Sequence, residues 1–155
     1  MKFVLNRLPD GLPGICIVQH IPPVFSKAFA ERLNETCAFE VREATSGDEI
    51  RPGLALVAPG DYHMMLLWNN GKYRVVLNQG PPLHYTRPAV DMLFNSAAVC
   101  AGSHAIAALL TGYGVGWCQQ NEKTQDGRSD DAGAKRKNLC RVWDASRRDG
   151  IGCGG

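Results

Sequence analysis

Short apolar runs that stop abruptly at polar residues are the main pattern in the first two thirds of the chain. The first run, at residues 15–18, ends two residues before His20 and is soon followed by a pair of prolines. A short, mostly β-branched run of this kind predicts a strand that is buried on both faces. Residues 54–58 and 105–110 predict two further buried strands, whereas the alternating residues 39–44 predict a strand with one exposed face.

Helical spacing of apolar residues predicts three helices, at residues 2–8, at 25–33 and from 89 to about 101. Polar residues interrupt the first stretch too early for a signal peptide, so an amphipathic helix is expected there. The sequence Asn69-Asn70-Gly71 between two β-type runs predicts a hairpin of strands at 64–68 and 73–77. The predicted apolar faces are Phe3, Val4 and Leu8 in the first helix, Phe25, Phe29, Ala30 and Leu33 in the second, and Val90, Leu93, Phe94, Ala97 and Ala98 in the third.

Strands that alternate with helices predict an α/β fold. We expect three αβα layers, with a doubly wound, mostly parallel sheet and an added β-hairpin. Right-handed crossovers align the carboxyl ends of parallel strands, and open α/β sheets bind their ligands at that edge. His20, Asp61, His63 and the pair Thr111-Gly112 all follow predicted strands, so they are expected along this edge. The alternative for His20 is an ordinary surface histidine in a loop.

Composition and charge narrow the classes of protein to which the chain can belong. A net charge of +2 with mixed signs gives no reason to expect a nucleic-acid partner, and no apolar run approaches the roughly 20 residues of a membrane span. The six cysteines form no Cys-x-x-Cys pair, which favours reduced thiols in a cytoplasmic protein, with Cys16 as a small buried residue. No Gly-x-Gly-x-x-Gly follows a strand, so a nucleotide cofactor is not expected, and no other cofactor is predicted.

Four stretches of the chain, in order and spacing, resemble the CheB-type catalytic domain of the chemotaxis protein-glutamate methylesterases. The resemblance covers about residues 4–112. The stretches are Gln19-His20-Ile21-Pro22-Pro23 with the helix that follows it, Pro52-Gly53 through Ala58-Pro59-Gly60-Asp61-Tyr62-His63-Met64, Gly80-Pro81-Pro82 with Arg87-Pro88-Ala89-Val90-Asp91-Met92-Leu93-Phe94, and Leu109-Leu110-Thr111-Gly112. Each stretch alone is weak evidence, but together they are specific.

The resemblance implies a serine esterase mechanism with a serine, a histidine and an aspartate on strand-end loops. The serine would attack a glutamate γ-methyl ester on a methyl-accepting chemotaxis receptor, or deamidate a glutamine by the same acyl route. The histidine would carry the proton and the aspartate would orient the imidazole. His20 matches the family's histidine. The family also implies a receiver domain upstream in the intact protein.

The other two members of the family's triad have no counterpart in this chain. The serine of the family lies in a Ser-Thr-Gly-Gly loop before the helix that matches residues 2–8, and the chain begins after that point. Ser26, Ser46 and Ser96 lie in other contexts, where a structural or solvated role is expected. Gly116 stands where the family's aspartate should be. We therefore expect little or no esterase activity; the alternative is a non-catalytic module that binds a receptor or a chemotaxis protein.

The chain changes character from Tyr113 onward, and residues 118–155 lack any helical or strand period. Two interpretations are open. One is a disordered polar tail. The other is a frameshift, because codons compatible with residues 113–118, read one base later, encode Met-Gly-Ser-Asp-Gly-Ala, which resembles the family's aspartate loop. Codons compatible with residues 134–145 give a family-like strand in the same shifted frame. We predict a partial catalytic domain at 1–112 and an out-of-frame or disordered tail at 113–155, in which the basic run Lys135-Arg136-Lys137 has no nucleic-acid role.

Several other polar residues have two possible roles. Asp61 with His63 suggests a metal site, but two ligands without a third are more often loop packing. Arg87 can contact an acidic receptor helix or remain a solvated loop residue. Asp91 begins a helix and complements its dipole. Met64, Met65 and Trp68 are expected to pack in the hairpin.

Overall fold

The computed structural model describes residues 1–110 and residues 141–144. The elements are α1 (Lys2–Leu5), β1 (Ile15–Ile17), α2 (Pro23–Asn34), β2 (Glu40–Glu43), β3 (Leu54–Val57), β4 (His63–Asn69), β5 (Lys72–Asn78), α3 (Val90–Cys100), β6 (Ile106–Leu109) and β7 (Arg141–Asp144). A short 3-10 turn, Gly102–His104, joins α3 to β6. Helices are interspersed with strands along the chain and the main sheet is parallel, so the predicted α/β class is confirmed.

Three parallel strands form the main sheet in the order β1-β3-β2. Cys16 of β1 lies opposite Leu56 of β3, and Val41 of β2 lies opposite Ala55 on the other edge of the same strand. All four residues of β3 are buried, because the strand has neighbours on both sides and covered faces above and below. Its burial confirms the buried strand predicted at residues 54–58.

The two faces of β3 belong to two different apolar cores. Ala55 and Val57 pack with residues of α1 and α2. Leu54 and Leu56 point the other way and pack with residues of β4, β5 and α3. Since side chains alternate across a strand, one buried strand serves both cores. The result is the predicted three-layer arrangement, with a hairpin sharing one outer layer with α3.

The buried faces of the first two helices differ from the predicted ones. In α1, Leu5 is the buried residue, while Phe3 is 68% exposed. The centroid of the Phe3 ring lies 3.7 Å from the guanidinium carbon of Arg7. In α2, Phe25 is 60% exposed, and the inward residue at the start of the helix is Ser26. Position 26 lies four and seven residues before the buried Ala30 and Leu33, so these three share one face of the helix, and Phe25 does not.

The hairpin of β4 and β5 confirms the prediction from Asn69-Asn70-Gly71. Asn69 pairs with Lys72, and Asn70 and Gly71 have φ of 50° and 77°, which is the type I′ turn that suits a two-residue hairpin loop. The rings of Trp68 and Tyr73 meet edge-on across the strands, with centroids 4.5 Å apart. Trp68 is therefore a packing residue of the hairpin, as expected.

Strand β6 is less buried than predicted. Ile106 is 85% exposed, whereas Ala107 is buried, so the strand is covered on one face only. Its ladder runs parallel to β7, with Ile106 opposite Arg141, and within the described residues it is separate from the three-stranded sheet. The burial of a short apolar run depends on how many elements surround it, which the run itself does not encode.

Strand β7 lies in the part of the sequence where no strand was predicted. The expectations for Thr111-Gly112, for Gly116 and for the basic run at 135–137 fall outside the described residues. Among the residues described, no helix has the length and apolar character needed to cross a bilayer.

Candidate active site at the carboxyl edge of the sheet

The loops that follow β1 and β3 meet at the carboxyl edge of the sheet. The two strands are parallel neighbours, and the amide of Ala58 donates to the carbonyl of Ile17 at 2.8 Å just beyond them. Gly60 then approaches Pro23 so closely that a Cβ at position 60 would lie 2.5 Å from the Pro23 Cα. Only glycine fits this contact, so these two loops form one surface.

His20 lies on this surface, in the loop between β1 and α2. The amide of Ile21 donates to the carbonyl of Gln19 at 2.9 Å, which turns the chain, and Pro23 begins α2 at its first position. The His20 side chain is exposed, and within residues 1–110 no hydrogen bond holds its ring. The ring is thus accessible for proton transfer to a ligand at the edge.

Ser26 is also near this edge, but its hydroxyl is engaged in the fold. The side chain is buried, and Oγ lies 2.9 Å from the Pro23 carbonyl and 2.5 Å from Glu43 Oε1. The same oxygen accepts a hydrogen bond from the Gly60 amide at 3.1 Å. Ser26 therefore joins α2, β2 and the loop after β3, and it has the structural role that was expected.

The other candidate serines are structural as well. Ser96 Oγ accepts a hydrogen bond from the amide of Leu66 at 2.9 Å, which attaches α3 to β4. Ser46 Oγ accepts one from the amide of Leu77 at 3.4 Å. Neither hydroxyl is placed to act as a nucleophile beside His20.

Asp61 and Arg87 form a clamp that holds the loop between β5 and α3 to this edge. Arg87 Nε donates to Asp61 Oδ1 at 2.9 Å, and Nη2 of the same guanidinium pairs with that oxygen. Arg87 Nη1 reaches the carbonyls of Gln79 at 3.1 Å and Gly80 at 2.8 Å. Of the roles considered for Arg87, neither a solvated side chain nor a free receptor contact describes it; it is a structural clamp.

His63 is buried at the start of β4 and fixes the same loop from inside. Its Nε2 lies 3.0 Å from the carbonyl of Pro81, and its Nδ1 lies 3.2 Å from the amide of Ala89. A carbonyl needs a donor and an amide needs an acceptor, so the ring is the neutral Nε2–H tautomer. Both nitrogens are used, and the described residues contain no cluster of three metal-binding side chains. His63 therefore packs the loop before α3.

The loop held by this clamp ends in a tight turn, Leu83–Thr86. The amides of Leu83 and Thr86 each donate to the other's carbonyl, at 3.1 and 3.0 Å. His84 and Tyr85 at the centre have φ of 50° and 62°, which again defines a type I′ turn. Left-handed backbone at a non-glycine residue costs about 1–3 kcal/mol.

Asp91 lies in the first turn of α3, as expected for a residue that complements the helix dipole. Its Oδ2 also lies 3.7 Å from His84 Nε2.

No local pattern in the sequence predicts this turn or the clamp. The sequence Leu-His-Tyr-Thr contains no glycine, asparagine or aspartate, which are the usual signals of a left-handed turn. Arg87 directly precedes a proline, and two of its partners are backbone carbonyls, which carry no side-chain signature. The pairing of Asp61 with Arg87 is a contact between residues far apart in sequence that no local pattern encodes.

The thiols in the described residues are poor nucleophiles. Cys16, Cys37 and Cys100 are free. Burial raises the pKa of Cys16 to about 12 and also raises the pKa of Cys100. Since the thiolate is the reactive form, a cysteine replacing the serine at this edge has no support.

Comparisons with known proteins point to one family. The sequence model of the CheB methylesterase family matches residues 1–116. The chain is 51% identical over 115 residues to protein-glutamate methylesterase/protein-glutamine glutaminase 2 of Syntrophus aciditrophicus (strain SB), covering 74% of this chain and 34% of the relative. It is 49% identical over 114 residues to the protein of the same name from Hahella chejuensis (strain KCTC 2396), covering 74% and 31%. The chain thus spans about a third of the length of these curated relatives.

A solved structure shows the same fold. The crystal structure of the Thermotoga maritima CheB methylesterase catalytic domain matches with a TM-score of 0.70 and 40% sequence identity, over 73% of this chain and 60% of that one. The family match over residues 1–116, relatives with about half of their aligned residues identical, and this shared fold agree with one another. The chain belongs to the CheB methylesterase family.

Proposed function

We propose that this chain carries the histidine part of a protein-glutamate methylesterase and glutaminase site, with His20 as the general base. The observation that carries the proposal is the exposed ring of His20 on the loop after β1, at the edge where the β1 and β3 loops meet. Ligands of open α/β sheets bind at this edge. The relatives are named protein-glutamate methylesterase/protein-glutamine glutaminase, and this name gives the proposed reaction.

In the proposed reaction His20 accepts and then returns one proton in each of two steps, the acylation of the serine and the hydrolysis of the acyl-serine. Its neutral ring accepts the proton of a serine hydroxyl while the serine oxygen bonds to the carbonyl carbon of the glutamate γ-methyl ester. Collapse of the tetrahedral intermediate breaks the bond to the methoxy oxygen, and the imidazolium returns the proton to give methanol. Water then hydrolyses the acyl-serine by the same proton relay. A glutamine substrate releases ammonia in place of methanol.

We further propose that residues 1–155 have little or no esterase activity by themselves. The serines at positions 26, 46 and 96 are held by structural hydrogen bonds, and the sequence contains no Ser-Thr-Gly-Gly loop. Within the described residues β1 pairs only with β3, which leaves its other edge open. A parallel strand added there would place its carboxyl-end loop beside His20, where a nucleophile is needed.

The test compares the chain alone with a fusion that adds a family Ser-Thr-Gly-Gly strand and an in-frame aspartate loop. Methanol release from a methylated receptor cytoplasmic fragment is the measurement. We expect no release above background from the chain alone and clear release from the fusion. His20→Ala in the fusion should reduce the rate by several orders of magnitude, as loss of a triad member does. His104→Ala, which changes an exposed histidine before β6, should not. Hydrolysis by the chain alone that depends on His20, or a fusion that is insensitive to His20→Ala, would contradict the proposal.

Residues 113–155 are proposed to be out of frame relative to the family. The family match ends at residue 116, which supports a boundary near Gly112. Sequencing the encoding DNA through the codons for residues 112–117 tests this directly. One surplus base is the expected finding; a confirmed sequence as printed would contradict the frameshift.

On the same family grounds we propose methyl-accepting chemotaxis receptors as partners, a cytoplasmic location and a receiver domain in the intact protein. A second candidate function is a binding module that contacts a receptor without turnover. The engagement of the candidate serines in the fold favours it for the chain as printed. Receptor binding without labelling by a serine-reactive phosphonate probe is the result that this second function predicts.

A further inference from the structure

Two type I′ turns in the described part of the chain have very different central residues. The hairpin turn has Asn70 and Gly71, the pair that this backbone favours. The turn at Leu83–Thr86 has His84 and Tyr85, which have the same left-handed φ although residues of these types adopt it less readily than Asn and Gly. Backbone conformation alone therefore does not explain the side chains at positions 84 and 85.

Packing within the fold does not explain them either. Tyr85 is fully exposed, and no hydrogen bond or ring contact involves its side chain within the described residues. The His84 side chain is 71% exposed, with Nε2 directed toward the carboxylate of Asp91. The ring of Tyr85 thus contributes little to the folded chain and is available to a partner.

The base of this turn is held firmly on both sides. Thr86 Oγ1 donates to the carbonyl of Leu83 at 2.9 Å, which closes the turn. Arg87, the residue that follows the turn, is bound through its guanidinium to Asp61, and Nε2 of His63 donates to the carbonyl of Pro81 before the turn. Because the base of the turn is anchored, its exposed tip loses little conformational entropy when it binds, and this favours affinity.

The clamp also fixes where the tip is. Asp61 follows β3 at the carboxyl edge, and its amide donates to the carbonyl of Arg87 at 3.3 Å. The adjacent Gly60 lies against Pro23, three residues after His20. The turn therefore stands at the same edge as the proposed base.

We propose that the turn Leu83–Thr86 is a specificity determinant that contacts the receptor polypeptide beside the glutamate side chain to be hydrolysed. This inference rests on the proposed function. Tyr85 is the main contact, because its rigid ring packs on aliphatic side chains while its hydroxyl meets a polar group at low entropic cost. His84, oriented by Asp91, is the second contact. Neither residue touches the reacting atoms, so neither is catalytic.

The test exchanges the two kinds of turn. In the chain as printed, His84→Asn combined with Tyr85→Gly supplies the favoured type I′ pair. We expect slower hydrogen exchange at the amides of Leu83 and Thr86. At the same time, the Kd for a methylated receptor cytoplasmic fragment should rise about tenfold. A purely structural turn would show the first change without the second.

The matched control makes the reverse exchange in the hairpin. Asn70→His combined with Gly71→Tyr should speed exchange at the amides of Asn69 and Lys72 and leave the receptor Kd unchanged. The inference is overturned if the variant at positions 84 and 85 binds as tightly as the parent chain, or if both double variants lose affinity equally. Absence of receptor binding by the parent chain also overturns this inference, whereas the proposed function is judged separately by methanol release from the fusion.

Discussion

At the scale of single residues, the carboxyl edge is shaped by polar side chains whose partners lie far away in sequence. The hydroxyl of Ser26 connects Glu43 to Gly60, and both nitrogens of His63 are bonded to the loop before α3. The sequence predicted a structural role for Ser26 and loop packing for His63. It could not predict their partners, because such contacts depend on the tertiary arrangement of several elements.

Ser26→Ala tests the hydroxyl directly. The change leaves the amide of Gly60 without its acceptor in a buried setting, which costs about 1–3 kcal/mol, whereas Glu43 can turn to water. We expect amide exchange at Gly60 to become about 5- to 150-fold faster. Ser103→Ala, at an exposed position of the 3-10 turn, is the control and should have no effect. Equal exchange at Gly60 in both variants would show that Ser26 does not hold this loop.

At the scale of elements, the sequence predicted correctly those elements whose conformation depends on their own residues. Asn70 and Gly71 encode their own turn, and residues 54–57 encode a buried strand. The turn at His84 and Tyr85 lacks such a code, because its φ values are imposed by the clamp around it. The exposure of β6 was missed for a related reason, since burial is set by neighbouring elements.

The turn between β2 and β3 connects the sheet to the hairpin through Asp48. Asp48 Oδ2 accepts hydrogen bonds from Arg42 Nη1 at 2.6 Å and from the amide of Thr45 at 2.7 Å, and its backbone carbonyl accepts one from the amide of Val75. The hydrogen bond from Arg42 is the main cause that lowers the pKa of Asp48, and burial partly opposes it. The ionised carboxylate therefore stabilises the folded state.

This pKa shift predicts how acid acts on the turn. Because the folded pKa lies below the unfolded one, the stabilisation is complete above the unfolded value of about 3.9 and is lost as pH falls through the folded pKa. Asp48→Asn should lower the free energy of unfolding by about 1 kcal/mol at pH 7, and this cost should shrink as pH falls through the folded pKa. Urea denaturation at pH 7 and pH 2 is the measurement, made in the fusion with the added Ser-Thr-Gly-Gly strand, for which a cooperative transition is expected. A cost that persists undiminished at pH 2 would show that charge is not its source.

At the scale of the whole molecule, the described residues form a three-stranded sheet whose central strand, β3, is fully buried. The elements around this sheet are only partly covered. The pattern of strands and helices predicted the layers and the edge that carries His20, and the comparisons support the layers. The arrangement of β6 with β7 could not be predicted, since the sequence of β7 has no strand period. Among the described residues, one edge of β1 has no partner strand, so its backbone groups are unpaired there. The exposed side chain of Ile106 leaves apolar surface on β6.

We therefore expect residues 1–155 to unfold over a broad temperature range rather than in a sharp transition. The fusion with an added Ser-Thr-Gly-Gly strand should unfold at a higher temperature and more cooperatively, because the new strand pairs with β1. Circular dichroism melts at several wavelengths measure both properties. A sharp transition of the chain alone, coincident at all wavelengths, would contradict this expectation.

The exposed face of β6 also bears on how long such a chain lasts in a cell. A β-branched side chain such as Ile106, bare beside a short strand, belongs to the class of surface that chaperones bind and proteases exploit. The amount of this chain at steady state is then set by quality control as much as by synthesis. Any element that covered the exposed face of β6 would also protect the chain from degradation.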